Sequence, residues 1–187
     1  EHNIKNYETL SLKVASLEGV VKVTPMIEGQ VLVSANGQSV GAIVRGLAPM
    51  DLIARSILAD NIKAGNLENF TGTDNVLIGT RLATKFSLVV GQKITVISPK
   101  GNVTAFGTVP RIRSYTIAGL FQVGMYEYDS SFIFMPLEAA QRYFKLPKAV
   151  NYLDVMITNP DAVHTMARDI WRVIGAQGQI FNWQQTN

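Results

Sequence analysis

"QVLVSANGQSVGAIVRGL", residues 30–47, is the stretch whose reading decides the fold. It reads as strand, turn and strand, folded back at Asn36-Gly37, a pair that tolerates the positive φ of a type I′ hairpin turn. Just before it, "VVKVTPMI" (20–27) is another strand. Further back, Tyr7, Leu10, Val14 and Leu17 recur at helical spacing, with Gly19 as a stop signal. The expectation is an amphipathic helix followed by a meander.

Beyond the hairpin the pattern changes. "APMDLIARSILADNI" (48–62) has helical character and "KAGNLENFTGTDN" (63–75) is rich in turn residues. "NVLIGTRLATKFSLVVGQKITVIS" (75–98) reads as strand, short helix, glycine turn and strand, so this region looks like a small inserted unit. "RSYTIAGLFQV" (113–123) and "SSFIFM" (130–135) are strands, and Pro136 opens a helix, "PLEAAQRYFKL", where its missing amide hydrogen costs nothing. "NYLDVMITN" is a strand, "PDAVHTMARDIWRVIG" a helix between Pro160 and Gly175, and "QIFNW" a closing strand. Helices and strands alternate without a strict βαβ rhythm, which makes α+β the expected class.

A chain of 187 residues can bury one ordinary core or two small ones. With 47% apolar and 17% charged residues it is globular in composition, not disordered. No apolar run approaches the roughly 20 residues of a bilayer-spanning helix, and "EHNIKNYETL" lacks the pattern of a signal peptide. The chain therefore reads as soluble by itself; lacking an initiating methionine, it is also consistent with a fragment from which a signal or membrane anchor has been cut. Zero cysteines exclude disulfides, thiol nucleophiles and Cys-ligated metals.

The signatures of chemistry are sparse. His2 lies at the terminus and His164 in the last long helix, with no Ser or carboxylate constellation around either to make a hydrolytic triad. There is no phosphate-binding loop: Gly79 and Gly91 stand too far apart, and Lys93 does not follow the required spacing. Glu127 and Asp129 in "YEYDSS" are the nearest thing to a paired acid site, and they read better as a turn before the strand that follows. No catalytic residue, cofactor or metal site is expected.

Charge is more informative in its distribution than in its sum of +3. Between Val76 and Tyr126 there is no Asp or Glu, while Arg81, Lys85, Lys93, Lys100, Arg111 and Arg113 are all basic; the rest of the chain is net acidic. The basic residues are dispersed and lack an aromatic stacking ladder, which argues against a nucleic-acid partner.

Within this basic third lies "SPKGNVTAFGTVPRIR", residues 98–113. Strand-like sequence enters and leaves it, so it is a long hairpin arm or a loop between neighbouring strands. Pro99 and Pro110 break the ladder near its base, and Gly101 and Gly107 permit sharp turns. Two readings fit. Val103 and Phe106 tuck onto the domain surface, or they form an apolar tip that enters a partner while Lys100, Arg111 and Arg113 pair with acidic groups around the opening.

Several stretches together resemble a known family: "VTPMIEGQVLVSANGQSVGAIVRGL", "NVLIGTRLATKFSLVVGQKITVISP", "YTIAGLF" and "YDSSFIFMPLEAAQRYF". They are similar to the periplasmic domain of the lipoprotein-releasing permeases of LolC, LolE or LolF type, relatives of the MacB and FtsX permeases. The resemblance runs from about Tyr7 to Trp183. It implies a non-catalytic periplasmic domain of a bacterial inner-membrane protein, with a discontinuous Porter-like subdomain (1–46 and 123–187) and a Sabre-like insertion (47–122). ATP hydrolysis would belong to a separate cytoplasmic subunit, LolD, and a second permease subunit would complete the transporter through membrane parts absent here.

The implied partner is the periplasmic carrier LolA, which would receive an extracted lipoprotein; direct contact with lipoprotein is left open. The family's proline-bounded "Hook" is similar to Pro99, Lys100, Gly101, Asn102, Val103, Thr104, Ala105, Phe106, Gly107, Thr108, Val109 and Pro110. A neighbouring pad of carrier contacts would include Arg111 and Arg113, with Thr95 where a basic residue is expected. Two alternatives stand beside this one: a mechanotransmission or adaptor-binding domain of MacB type, and an apolar-ligand-binding or sensory domain.

Overall fold

The computed structural model describes residues 3–104, 107–175 and 178–181. Along the chain run α1 (Tyr7–Ala15), β1 (Val20–Ala35), β2 (Gln38–Leu47), α2 (Pro49–Ile53), α3 (Ser56–Ala59), β3 (Ile62–Gly65), β4 (Asn75–Gly79) and α4 (Thr80–Phe86). Then follow β5 (Lys93–Thr104), β6 (Gly107–Phe121), α5 (Tyr126–Ser131), β7 (Phe132–Pro136), α6 (Leu137–Phe144), β8 (Tyr152–Ile157) and α7 (Val163–Ile174). The class is α+β. The chain forms two compact units, one of residues 1–26 and 148–187, the other of residues 27–147. These limits differ from those of the insertion read from the sequence, 47–122; compactness and subdomain identity are separate criteria.

In the smaller unit, α1 and α7 pack on one face of a strand pair. Leu10 and Val14 meet Met166, Ile170 and Ile174, and Val23, Leu153 and Val155 pack against that cluster. The pairs Val23↔Val155 and Pro25↔Leu153 put these strand residues on one side, as alternation requires. Gln179–Phe181 form no strand, contrary to the reading of "QIFNW" as one; Asn182 and Trp183 lie outside the described residues.

The larger unit is built on a ring of strands. The order is β2-β7-β4-β6-β5-β1, and β1 also pairs with β2 across the Asn36-Gly37 turn, so the ring closes. Asn36 and Gly37 have φ of 48° and 75°, both positive as a type I′ turn demands. Closure removes exposed edges that would otherwise recruit other chains. The expected meander is corrected: "VVKVTPMI" and "QVLVSA" are one unbroken strand, β1, which forms a hairpin with β2, and β2 pairs on its other side in parallel with β7 from Ile43↔Phe132 to Leu47↔Pro136. Val33, Val44, Ile94, Val96, Tyr115, Ile117 and Ile133 are fully buried in this unit.

Two local readings are corrected. The turn-rich stretch after α3 contains β3, which pairs with the end of β6. "YEYDSS" is a helix, α5, not a turn. Its Asp129 is 1% exposed and accepts the backbone N–H groups of Val123 and Gly124 at 2.9 and 3.1 Å. That carboxylate organises the chain entering α5, while Glu127 stays exposed.

Helix α6 lies directly on the ring because Gly46 has no side chain: a Cβ there would overlap the Cβ of Ala140. Gly46→Ala should therefore cost about 1–3 kcal/mol of overpacking. Adding Ala140→Gly should return part of it despite the roughly 1 kcal/mol helix penalty of glycine, giving a double-mutant coupling energy measurable by urea unfolding.

Candidate functional site

The proline-bounded segment is a hairpin arm. β5 and β6 pair from Lys93↔Thr116 to Ser98↔Arg111, shift register, and resume from Asn102↔Val109 to Thr104↔Gly107. At the shift Pro99, Lys100 and Gly101 stand against Pro110 alone, so the ladder is broken at the prolines and restored beyond them. Such a bulge twists the strand and aims the outer arm away from the direction of its base. Gly101 is fixed by this crossing, since a Cβ there would run into the Val109 carbonyl and the Pro110 nitrogen. Gly107 has φ of 115°, a backbone that favours glycine, and it begins β6. Ala105 and Phe106 lie outside the described residues. Of Pro99, Lys100, Asn102, Val103, Thr104 and Thr108 the backbone is described, and Val109 is exposed.

The base of the arm is clamped. Arg111 Nη1 donates to the Tyr143 carbonyl at 2.5 Å, at the end of α6, and Tyr143 Oη donates to the Arg111 carbonyl at 3.4 Å. Arg113 is salt-bridged to Asp74 at 2.7 Å and lies over the Tyr115 ring, 5.5 Å from its centroid. The Tyr115 and Tyr143 rings meet edge to face at 6.1 Å. Arg111, Arg113 and Tyr115 alternate along β6 and so share a face, on which Arg111 is a structural anchor and Arg113 is the more open cation.

The opposite face carries a different chemistry. Leu32 pairs with Ile97 and Ile97 with Ile112, which forms a row of three apolar side chains across β1, β5 and β6. Ile112 is 66% exposed and Leu32 43%. Beside this row lies a polar one: Ser34 pairs with Thr95 and Thr95 with Ser114, the last two hydroxyls 3.0 Å apart. Thr95 thus faces away from Arg113, although their neighbours are paired. The apolar row was missed in the sequence; the available signal was Ile112 standing between two arginines on an alternating strand.

Burial pushes the Tyr115 phenol up to about 12, with Arg113 opposing the rise; Tyr143 is raised for the same reason. Among the described residues no group of three or more His, Asp or Glu side chains could hold a metal ion, and no helix is long and apolar enough to cross a membrane.

The fold is similar to that of known extracytoplasmic domains. The periplasmic region of MacB from Actinobacillus actinomycetemcomitans has a TM-score of 0.61 at 14% identity, covering 100% of this chain and 82% of that one. The extracellular domain of the noncanonic ABC-type transporter YknZ from Gram-positive bacteria gives 0.59 at 12% identity, over 89% and 80%. The model of the MacB-like periplasmic core domain matches residues 3–173, and the chain belongs to that family.

In sequence the chain is similar to the lipoprotein-releasing system transmembrane protein LolC of Neisseria meningitidis serogroup B, 32% identical over 76% of this chain and 35% of the relative. It is also similar to LolC of Xylella fastidiosa, 27% identical over 90% and 40%. The chain thus spans well under half the length of these curated relatives. It is a periplasmic domain of the kind found in LolC-type permeases, as its motifs imply.

Two substitutions test the arm's base. Gly101→Ala should displace the outer ladder and leave the ring folded, seen as amide-exchange protection lost at 102–104 and 107–109 but kept at 94–97. Tyr115 Oη is buried without a hydrogen-bond partner, so Tyr115→Phe should be neutral or stabilising by about 1 kcal/mol. Because a phenol raised from 10.0 to about 12 favours its neutral form when folded, its contribution holds below pH 10 and is lost as pH rises toward about 12. Tyr115→Phe should therefore flatten that alkaline loss in pH-dependent urea unfolding.

Proposed function

We propose that this chain is the carrier-docking domain of a lipoprotein-exporting ABC transporter. In this reading the arm from Pro99 to Pro110 enters the cavity of a periplasmic carrier of LolA type, so that an extracted lipoprotein can be handed over. The supporting observation is the arm itself, a paired ladder interrupted by the proline bulge and held at its base by Arg111. An arm already paired at 102–104 and 107–109 would lose less conformational entropy on docking than an unpaired loop. Val103 and Phe106 would supply the apolar tip, Lys100 and Arg113 the steering charge, and Thr95 a polar contact beside the arm. Arg111 acts in the same reading by holding the arm in place.

The 47–122 insertion would be the Sabre-like subdomain that bears the arm, and the flanking segments the Porter-like one. A second permease subunit and a LolD-type ATPase would join through parts beyond this chain, and no catalytic step would fall to the domain. A MacB-type adaptor-binding role is the second reading, favoured by the fold shared with the MacB periplasmic region.

Calorimetric titration with the same organism's lipoprotein carrier should give micromolar or tighter binding. Replacing residues 100–109 by a short Gly-Ser turn should abolish it, as should the pair Val103→Asp and Phe106→Asp in a folded domain. Binding should also weaken from low to high salt through Lys100 and Arg113. No binding by the unaltered chain would turn the assignment to the adaptor reading.

A further inference from the structure

The last helix presents two unlike faces. Met166, Ile170 and Ile174 are each 8 or 9% exposed within the core of the smaller unit, whereas Trp171, on the far side, is 58% exposed. His164, Arg168 and Trp171 form one wall of an open groove of about 540 Å³, and Gly178–Phe181 form the other. Phe181 is 63% exposed. Two large aromatic side chains thus stand mostly in water along one groove, and their burial against a partner would be favourable.

The charges around the groove narrow the choice of occupant. Arg172 is engaged by Asp169 at 3.0 Å, while Arg168 has no ion pair among the described residues. Residues 1–26 and 148–187 carry six Lys and Arg against six Asp and Glu, so no long-range field selects a strongly charged partner. What is left is short-range chemistry: an indole, a phenyl ring and a guanidinium without an ion pair among the described residues. Indoles favour the headgroup level of a bilayer, and a guanidinium pairs well with phosphate.

We propose that this groove rests on the outer surface of the membrane, with Trp171 and Phe181 at headgroup level and Arg168 on a lipid phosphate. The inference rests on the reading of the chain as a domain of a membrane-embedded permease, which brings a bilayer within reach. Its consequence is an orientation: the α7 face of the smaller unit is turned toward the lipid.

The test uses the whole chain with Trp183→Phe, which leaves Trp171 as the one tryptophan. The chain is held by a C-terminal hexahistidine tag on nickel-chelating lipid, in phosphatidylethanolamine vesicles with a minority of phosphatidylglycerol and with brominated acyl chains. Trp171 emission should shift to the blue and be quenched. Both effects should be lost on adding Arg168→Glu and Phe181→Ala, with thermal unfolding unchanged and the tether intact. Emission unchanged from that in solution would overturn the proposal, as would quenching that survives the double substitution. A blue shift produced only by added carrier would make the groove a protein contact and overturn it equally. Carrier titration with the same variants reads the arm separately, so a failure here is distinguishable from a failure of the docking reading.

Discussion

The pairing of β5 with β6 is the constraint on which the larger unit depends. Its inner part, Lys93↔Thr116 to Ser98↔Arg111, is a segment of the closed ring; its outer part, Asn102↔Val109 to Thr104↔Gly107, is the arm. One ladder therefore both completes the core and carries the candidate site. The three-against-one bulge at the prolines separates the two parts, and backbone contact between Gly101 and Val109 leaves room for no side chain at the crossing. An arm built this way continues the ladder of the ring without being part of its closure.

The alternation of β6 sorts its residues into two functions. On the face shared with Tyr115, Arg111 reaches α6 and Arg113 reaches Asp74, so two adjacent cations of like sequence context have unlike surroundings. On the other face Ile112 continues the row begun by Leu32 and Ile97. Exposed apolar residues that stand singly need no explanation, but three aligned across neighbouring strands form a surface. Its position beside the base of the arm would make it part of the surface engaged in the proposed docking.

Much of this was legible in the sequence, for reasons local to particular residues. Asn36-Gly37 marked its turn because few other pairs adopt two positive φ values, and Pro99 and Pro110 marked the break in the ladder because neither has an amide hydrogen to donate. What escaped depended on distant contacts. The parallel pairing of β2 with β7 joins segments separated by α2 through α5, and no local pattern encodes it. "YEYDSS" was read as a turn because Asp and Ser favour turns, yet Asp129 satisfies the two amides of Val123 and Gly124 and the segment closes into a helix. "QIFNW" alternates like a strand, but residues 179–181 pair with nothing as a ladder. Arg111 and Arg113 were indistinguishable as letters; only the position of Tyr143 and Asp74 separates them.

The clamped arm also bears on which partner it suits. A flexible loop can wrap a variable surface, but ordering it costs about 1–2 kcal/mol per residue of backbone, which weakens contact through so small an area. An arm paired on both sides of its tip has met part of that cost in folding, and in the proposed docking it would need only a small contact area. Small contact area with prior order would suit a partner that is engaged briefly and released, as the proposed hand-over would require. The salt bridge of Arg113 fits the same demand: at 37% side-chain exposure, with its partner Asp74 at 73%, it is open to exchange for a carboxylate on an incoming protein. Arg111, bonded to the Tyr143 carbonyl, instead ties the arm's base to α6.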